Sequence, residues 1–70
     1  MTHIRKVFSK NLKKLRLRQG FTQEELAEKL DISTRYVQQL EGANCPNVKI
    51  ETIALLAKAL DVDPTQFLKD

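Results

Sequence analysis

The 70-residue sequence predicts an all-α fold, one domain of five helices over residues 1–70. Three observations carry that expectation. Apolar residues recur three and four apart in successive segments. Helix start and stop residues bracket those segments. Nowhere does the period-two alternation of a strand appear.

The first helix is expected from about Ile4 to Gln19, because Ile4, Phe8, Leu12 and Leu15 share one side and Gly20 stops it. The second opens with a capping box. Thr22 can accept from the backbone N–H of Glu25, whose carboxylate can reach back to Thr22. Leu26, Ala27 and Leu30 form its apolar stripe. Ser33 caps the third helix, which buries Val37 and Leu40 and stops with Gly42 at C′. Residues 43–48 are compatible with a turn. The fourth helix spans roughly Ile50 to Leu60, with Ile50, Ile53, Leu56, Ala57 and Leu60 on its inner face. Asp63, Pro64 and Gln66 suit the N-cap, N1 and N3 positions of a fifth, anchored by Phe67 and Leu68. No internal repeat or linker is expected.

Composition narrows the class. A hydrophobic content of 41% supports a packed core and excludes a disordered chain. Seventy residues lie near the lower limit for a self-sufficient core, so tight helix packing or a partner subunit is needed. One cysteine, Cys45, forms no internal disulfide and has no metal-ligand spacing around it. It reads as a reduced thiol in a cytoplasmic protein. No apolar run suits a membrane span or signal segment. An enzyme is not expected: His3 is the only histidine, no phosphate-binding glycine loop occurs, and no cofactor or metal is implied.

Charge is uneven. Residues 1–19 hold Arg5, Lys6, Lys10, Lys13, Lys14, Arg16 and Arg18 without an acid, while residues 20–70 hold five basic and nine acidic residues. The first part carries +7 and the rest −4. This fits either an anionic partner or a well-solvated helix.

Residues 23–42 make a unit. Leu26 and Leu30 share a side of the second helix, Val37 and Leu40 a side of the third, and Ile32 fills the corner. Ala27 is small where the next helix must come close. Asp31 is expected to take a left-handed backbone, where Gly is easiest and Asp tolerable. The packing pattern is that of a helix-turn-helix.

In FTQEELAEKLDIS, TRYVQQLEG and IETIALLAKALDVD the sequence resembles the lambdoid phage repressor and Cro-like helix-turn-helix family. That family comprises the XRE-type regulators and includes the controller proteins of restriction–modification systems. The resemblance covers about residues 8–68, and Asp31 departs from the family's usual Gly. It implies a compact lambda-repressor-like domain in which helices 2 and 3 form the motif. It further implies a cytoplasmic transcriptional regulator that reads double-stranded DNA as a homodimer on a palindromic operator. The alternative is a protein-binding helical adaptor or the antitoxin of a toxin–antitoxin pair, since fold alone does not fix function.

The resemblance assigns base contacts to Thr34, Arg35, Gln38 and Gln39 on the third helix. Arg can bond guanine O6 and N7, Gln adenine N6 and N7, and Thr can meet several base edges. Phosphate contacts are expected from Gln23, at the N-terminus of helix 2, and from Asn44, Asn47, Lys49 and Arg18. Tyr36 is placed with the phosphate contacts as well, the alternative being that it packs over the base of its helix. The resemblance also implies a structural ion pair between Arg16 and Glu41. By the same analogy a dimer interface falls near Val62, Pro64, Phe67 and Leu68, with Leu55 as an added apolar contact; Phe67 can instead belong to the monomer core. Leu17 and Val7 lie off the main stripe of helix 1. The given sequence holds no separate dimerisation domain after helix 5, which is a further reason to expect the interface there, unless it is a fragment of a longer protein whose remaining part carries dimerisation instead.

Overall fold

Four α-helices and a terminal 3₁₀ helix follow one another in the computed structural model, which describes residues 2–70. They are α1 (Thr2–Arg18), α2 (Gln23–Leu30), α3 (Thr34–Leu40), α4 (Ile50–Leu60) and the 3₁₀ helix Pro64–Leu68. No strand occurs among the described residues, and none of their helices is long and apolar enough to cross a membrane.

Local chemistry sets the boundaries. Gly20, at φ 80°, turns the chain out of α1, two residues after the last helical residue, Arg18. Both halves of the Thr22–Glu25 capping box are formed, at 3.0 and 2.8 Å. Ser33 Oγ accepts from the Tyr36 N–H at 3.0 Å to start α3. Gly42 follows α3 without a left-handed backbone. A Cβ there would sit 3.2 Å from the Gln38 carbonyl oxygen, so close approach, not positive φ, favours glycine.

Two corners use the same device. Asp31 ends α2 at φ 57° and Asp61 ends α4 at φ 54°. Behind each, the next residue closes a bond of the helix-terminating kind: Ile32 N–H to Ala27 O at 3.0 Å, and Val62 N–H to Ala57 O at 2.9 Å. The sequences LAEKLDISTRYV and LAKALDVDPTQF align through both corners, thirty residues apart. So the chain does hold a short internal echo, contrary to the expectation of none. Leu26 matches Leu56, Ala27 matches Ala57, and Val37 matches Phe67, all buried.

The core joins Phe8, Leu12 and Leu15 of α1 to Leu26, Val37, Leu40, Leu56, Leu60 and Phe67. The Phe8 and Phe67 rings meet at 5.6 Å. Three buried polar side chains of α1 peg the other elements to it. Ser9 Oγ donates to the Leu40 carbonyl at 2.7 Å, and Asn11 Nδ2 donates to the Phe67 and Lys69 carbonyls at 2.9 and 2.7 Å. The third peg is Arg16.

Several placements differ from the sequence reading. Ile50 is 82% exposed, because the first residue of α4 lies beyond the edge of the core. Val7 is buried and Ile4 is exposed, so the inner face of α1 is rotated towards Val7. The fifth element is a 3₁₀ helix in which Phe67 faces inward and its neighbour Leu68, about a third of a turn on, is exposed. Asp63 caps it, accepting from the Thr65 N–H at 2.9 Å and from Thr65 Oγ1 at 2.8 Å; no bond from Gln66 completes a box.

Relief of strain at the corners should be measurable. Asp31→Gly should raise stability by up to about 1 kcal/mol, and Asp31→Val should lower it by about 1–2 kcal/mol. Thermal midpoints of the two variants that coincide would contradict a left-handed requirement at this position.

The Asp63 cap should respond to acid. The Thr65 backbone and hydroxyl bonds, helped by Lys69, hold its carboxyl below the usual 3.8. The charged form is therefore favoured in the folded chain. Its contribution is complete above that ordinary value and is lost as pH falls through the lowered one. The Phe67 ring signals should shift below pH about 4, and that shift should disappear in Asp63→Asn.

Candidate nucleic-acid interface

Because Val37 and Leu40 face the core, α3 turns its polar residues outward. Arg35, Gln38 and Gln39 are exposed, and Thr34 is half-buried. Thr34 and Gln38 share a shallow notch with Thr22, Gln23 and Glu24 at the start of α2. The corner at Asp31 thus brings the first turn of α2 against the first half of α3. Tyr36 is half-buried with its ring packed on the core, which favours the packing reading for this residue.

Arg16 fixes that arrangement from below. Its Nε donates to Glu41 Oε2 at 2.6 Å and Nη2 donates to Glu41 Oε1 at 3.0 Å, a bidentate pair. Nη1 donates to the Phe21 carbonyl at 2.7 Å. Gln23 Nε2 donates to Glu41 Oε1 at 3.0 Å. The Arg16 and Glu41 side chains are only 7% and 3% exposed. One cluster therefore ties together the end of α1, the turn before α2, the first residue of α2 and the C-cap of α3. It uses one amide hydrogen of Gln23 and leaves the other available.

The remaining residues scatter. Arg18, Lys49, Asn44 and Asn47 are exposed. Lys49 is the N-cap residue of α4, makes no side-chain capping bond, and leaves the first N–H groups of that helix open. Asn44 lies in a groove with Arg5, Lys6 and Pro46. Asn47 lies in an apolar one with Ile4, Phe8, Val48, Ile53 and Leu68. Both asparagines thus sit beside the start of α1, not in the α2–α3 notch.

Among the residues assigned to a dimer contact, Phe67 is corrected. It is 0% exposed and wholly enclosed by its own chain, leaving no surface for a second copy. Val62 is half-buried against the core, while Pro64, Leu68 and Leu55 are exposed. Ser9 and Asn11, which hold α3 and the 3₁₀ helix in place, were missed by sequence reasoning. Their signal was present: Asn11 shares a stripe with Phe8 and Leu15, and Ser9 shares one with Leu12 and Arg16. Among the described residues no group of three or more His, Cys, Asp or Glu could hold a metal ion.

Fold and comparison agree on the class. The helix-turn-helix family matches residues 12–67. The chain belongs to that family, in its XRE-type branch. It is 36% identical over 69 residues to the HTH-type transcriptional regulator PrpR of Mycobacterium tuberculosis. That match covers 99% of this chain but only 14% of the relative. The hypothetical transcription factor NHTF from Neisseria superposes with a TM-score of 0.86 at 32% identity, covering 94% of this chain and 75% of that one. The restriction-modification controller protein C.AhdI from Aeromonas hydrophila gives 0.82 at 33% identity, covering 90% and 94%.

The buried pair yields a stability prediction. Arg16→Ala and Glu41→Ala should each cost about 3–5 kcal/mol, because each leaves the other's charge buried and unpaired. Arg16→Met combined with Glu41→Leu should recover much of that loss. Urea midpoints decide it: single losses within about 1 kcal/mol, the range of an exposed pair, would refute a stabilising role.

Proposed function

We propose that the chain reads double-stranded DNA by sequence, with α2 and α3 as its helix-turn-helix and α3 in the major groove. The carrying observation is the exposed polar side of α3, with Arg35, Gln38 and Gln39 outward, beside the notch where Thr34 meets Gln23. A helix about 10–12 Å across suits a groove about 12 Å wide. Arg35 and Gln39 carry the base-reading chemistry, with Thr34 and Gln38 beside them. The open N-terminus of α2 and the second amide hydrogen of Gln23 suit a phosphate oxygen. So does the uncapped start of α4 at Lys49, with Arg18 adding charge.

The regulator acts as a homodimer on a palindromic operator. One domain touches few base pairs, and two-fold pairing on half-sites about 34 Å apart multiplies that contact. Exposed Leu55, Pro64 and Leu68, with Val62 behind them, supply the apolar surface for a second copy. Selection of bound sequences from random duplexes, with stoichiometry on the winner, tests both points. A palindromic winner bound by two chains supports the reading; a protein that enriches no sequence overturns it.

Single substitutions separate the roles. Arg35→Ala should weaken binding to the selected sequence by about 1–3 kcal/mol and relax preference at one base position. Lys49→Ala should weaken all duplexes alike and reduce the salt slope by about 1. Equal loss on selected and random DNA for Arg35→Ala would move Arg35 to the phosphate class.

A further inference from the structure

The lysines of α1 are not used by the reading above. Lys6, Lys10, Lys13 and Lys14 are all exposed. Their spacing of four, seven and eight puts them on one side of the helix, over about 12 Å at 1.5 Å per residue. That side is turned away from Phe8, Leu12 and Leu15, which face the core. α1 contains no acidic residue. Among the described residues no carboxylate lies within 4 Å of these four lysines: Glu41 is held by Arg16, and the Asp70 carboxylate lies 3.6 Å from His3. At the N-terminal end Lys69 joins Lys6 and Lys10 around a notch that also holds His3 and Asp70.

The same core separates this stripe from the α3 face. Val37 and Leu40 point inward from α3 while Arg35 and Gln39 point outward; on α1 the inner side belongs to Phe8, Leu12 and Leu15. The two polar faces therefore leave the core in different directions, on a domain of only 29 × 23 × 21 Å. A duplex is straight over such a distance, its persistence length being about 50 nm. A segment seated on α3 that does not bend round the domain leaves the α1 stripe free for another.

We propose that the α1 stripe is a second, sequence-independent binding surface for the phosphate backbone of another duplex segment, so that one chain can bridge two pieces of DNA. This rests on the DNA-reading function proposed above. The occupant follows from charge and residue type. Four lysines on a helix with no acidic residue, with Asp70 beside only the first two, suit a row of phosphates, where binding comes from counterion release and needs no fixed hydrogen-bond geometry. Lysine is depleted from protein–protein interfaces, and the stripe offers a single exposed apolar neighbour, Leu17. A membrane surface requires an apolar helical side to insert, and that side of α1 is already in the core.

The test is capture of one duplex by another. The selected duplex is immobilised, the full chain is added, and a fluorescent duplex of unrelated sequence is offered at low salt. The wild-type chain should retain the second duplex. The variant carrying Lys6→Gln, Lys10→Gln, Lys13→Gln and Lys14→Gln should lose at least about tenfold of that retention, since the salt slope falls by about 0.9 per phosphate contact removed. It should keep its sequence preference on the first duplex. Gln matches Lys in helix propensity, and a fourfold Lys→Arg variant, which keeps the charge, should restore capture. Arg35→Ala with Gln39→Ala should lose sequence preference yet still hold mixed-sequence duplex through α1, which separates failure of this surface from failure of the reading face. No capture by the wild-type chain, or undiminished capture by the glutamine variant, overturns the proposal. So does a reduced salt slope on a single duplex without capture, which would place these lysines along the flank of the DNA already bound.

Discussion

The buried Arg16 cluster is the contact on which the outward geometry depends. A seven-residue helix such as α3 has little stability of its own. Its direction must come from what holds its two ends. Ser33 holds the first end locally. The second is held from α1, through the Glu41 carboxylate gripped by Arg16 and the Leu40 carbonyl gripped by Ser9. The same guanidinium holds the Phe21 carbonyl and, through Glu41, Gln23. A lysine could not reproduce this, because one ammonium lacks the planar fork that serves a carboxylate and a carbonyl together. With all three donor nitrogens engaged, and no buried side-chain N or O among the described residues left without a partner, desolvation of the charges is offset within the cluster.

The two corners carry the complementary constraint. Each needs one residue with a left-handed backbone, a small alanine behind it and an apolar residue after it to fill the angle. Asp serves at both left-handed sites, although it is more strained there than glycine. The consequences diverge after the corner. The first leads to Thr34, Arg35, Gln38 and Gln39, a hydrogen-bonding surface. The second leads to Pro64, Thr65, Gln66 and Leu68, where the Thr65 hydroxyl is already bonded to Asp63 and Gln66 is half-buried. The same local device thus orients two short helical segments, of which only the first carries side chains suited to reading DNA.

Much of this was legible in the sequence because it is local. The Thr22–Glu25 capping box, left-handed Asp31, the limits of α4 and the inner stripe of α2 each depend on residues within one or two turns. What was not legible depends on where the core stops. Ile50 fits the inner stripe of α4 by spacing, but nothing in the sequence says that the core ends before the first turn of that helix. Leu68 does not anchor the last segment because adjacent helical residues point about 100–120° apart, and the single core-facing place in so short a segment is taken by Phe67. Asn11 was overlooked because polar residues on an apolar stripe read as interruptions. Its partners are carbonyls 56 and 58 residues away, beyond any local pattern. At the candidate interface, spacing identified the exposed side of α3. It did not reveal that Asn44 and Asn47 turn towards the start of α1, since the loop carrying them has no periodicity to orient it.

Uneven charge gains meaning from this three-dimensional placement. A sequence tally puts all seven cations of residues 1–19 into one category. The structure divides them. Arg16 is withdrawn into the core and is electrically spent on Glu41. Arg18 is exposed at the last residue of α1, just before the turn that Arg16 grips. Lys6, Lys10, Lys13 and Lys14 remain on a separate side, none of them within 4 Å of a carboxylate among the described residues. Their repulsion is weakened by solvent at physiological salt, where the screening length is about 8 Å, so the folded chain tolerates them. Nothing in the packing uses those charges. A polyanion laid along the stripe would exchange its condensed cations for lysines already fixed on a helix. The entropy of ordering the backbone beneath them is then met by the core and not by the binding event.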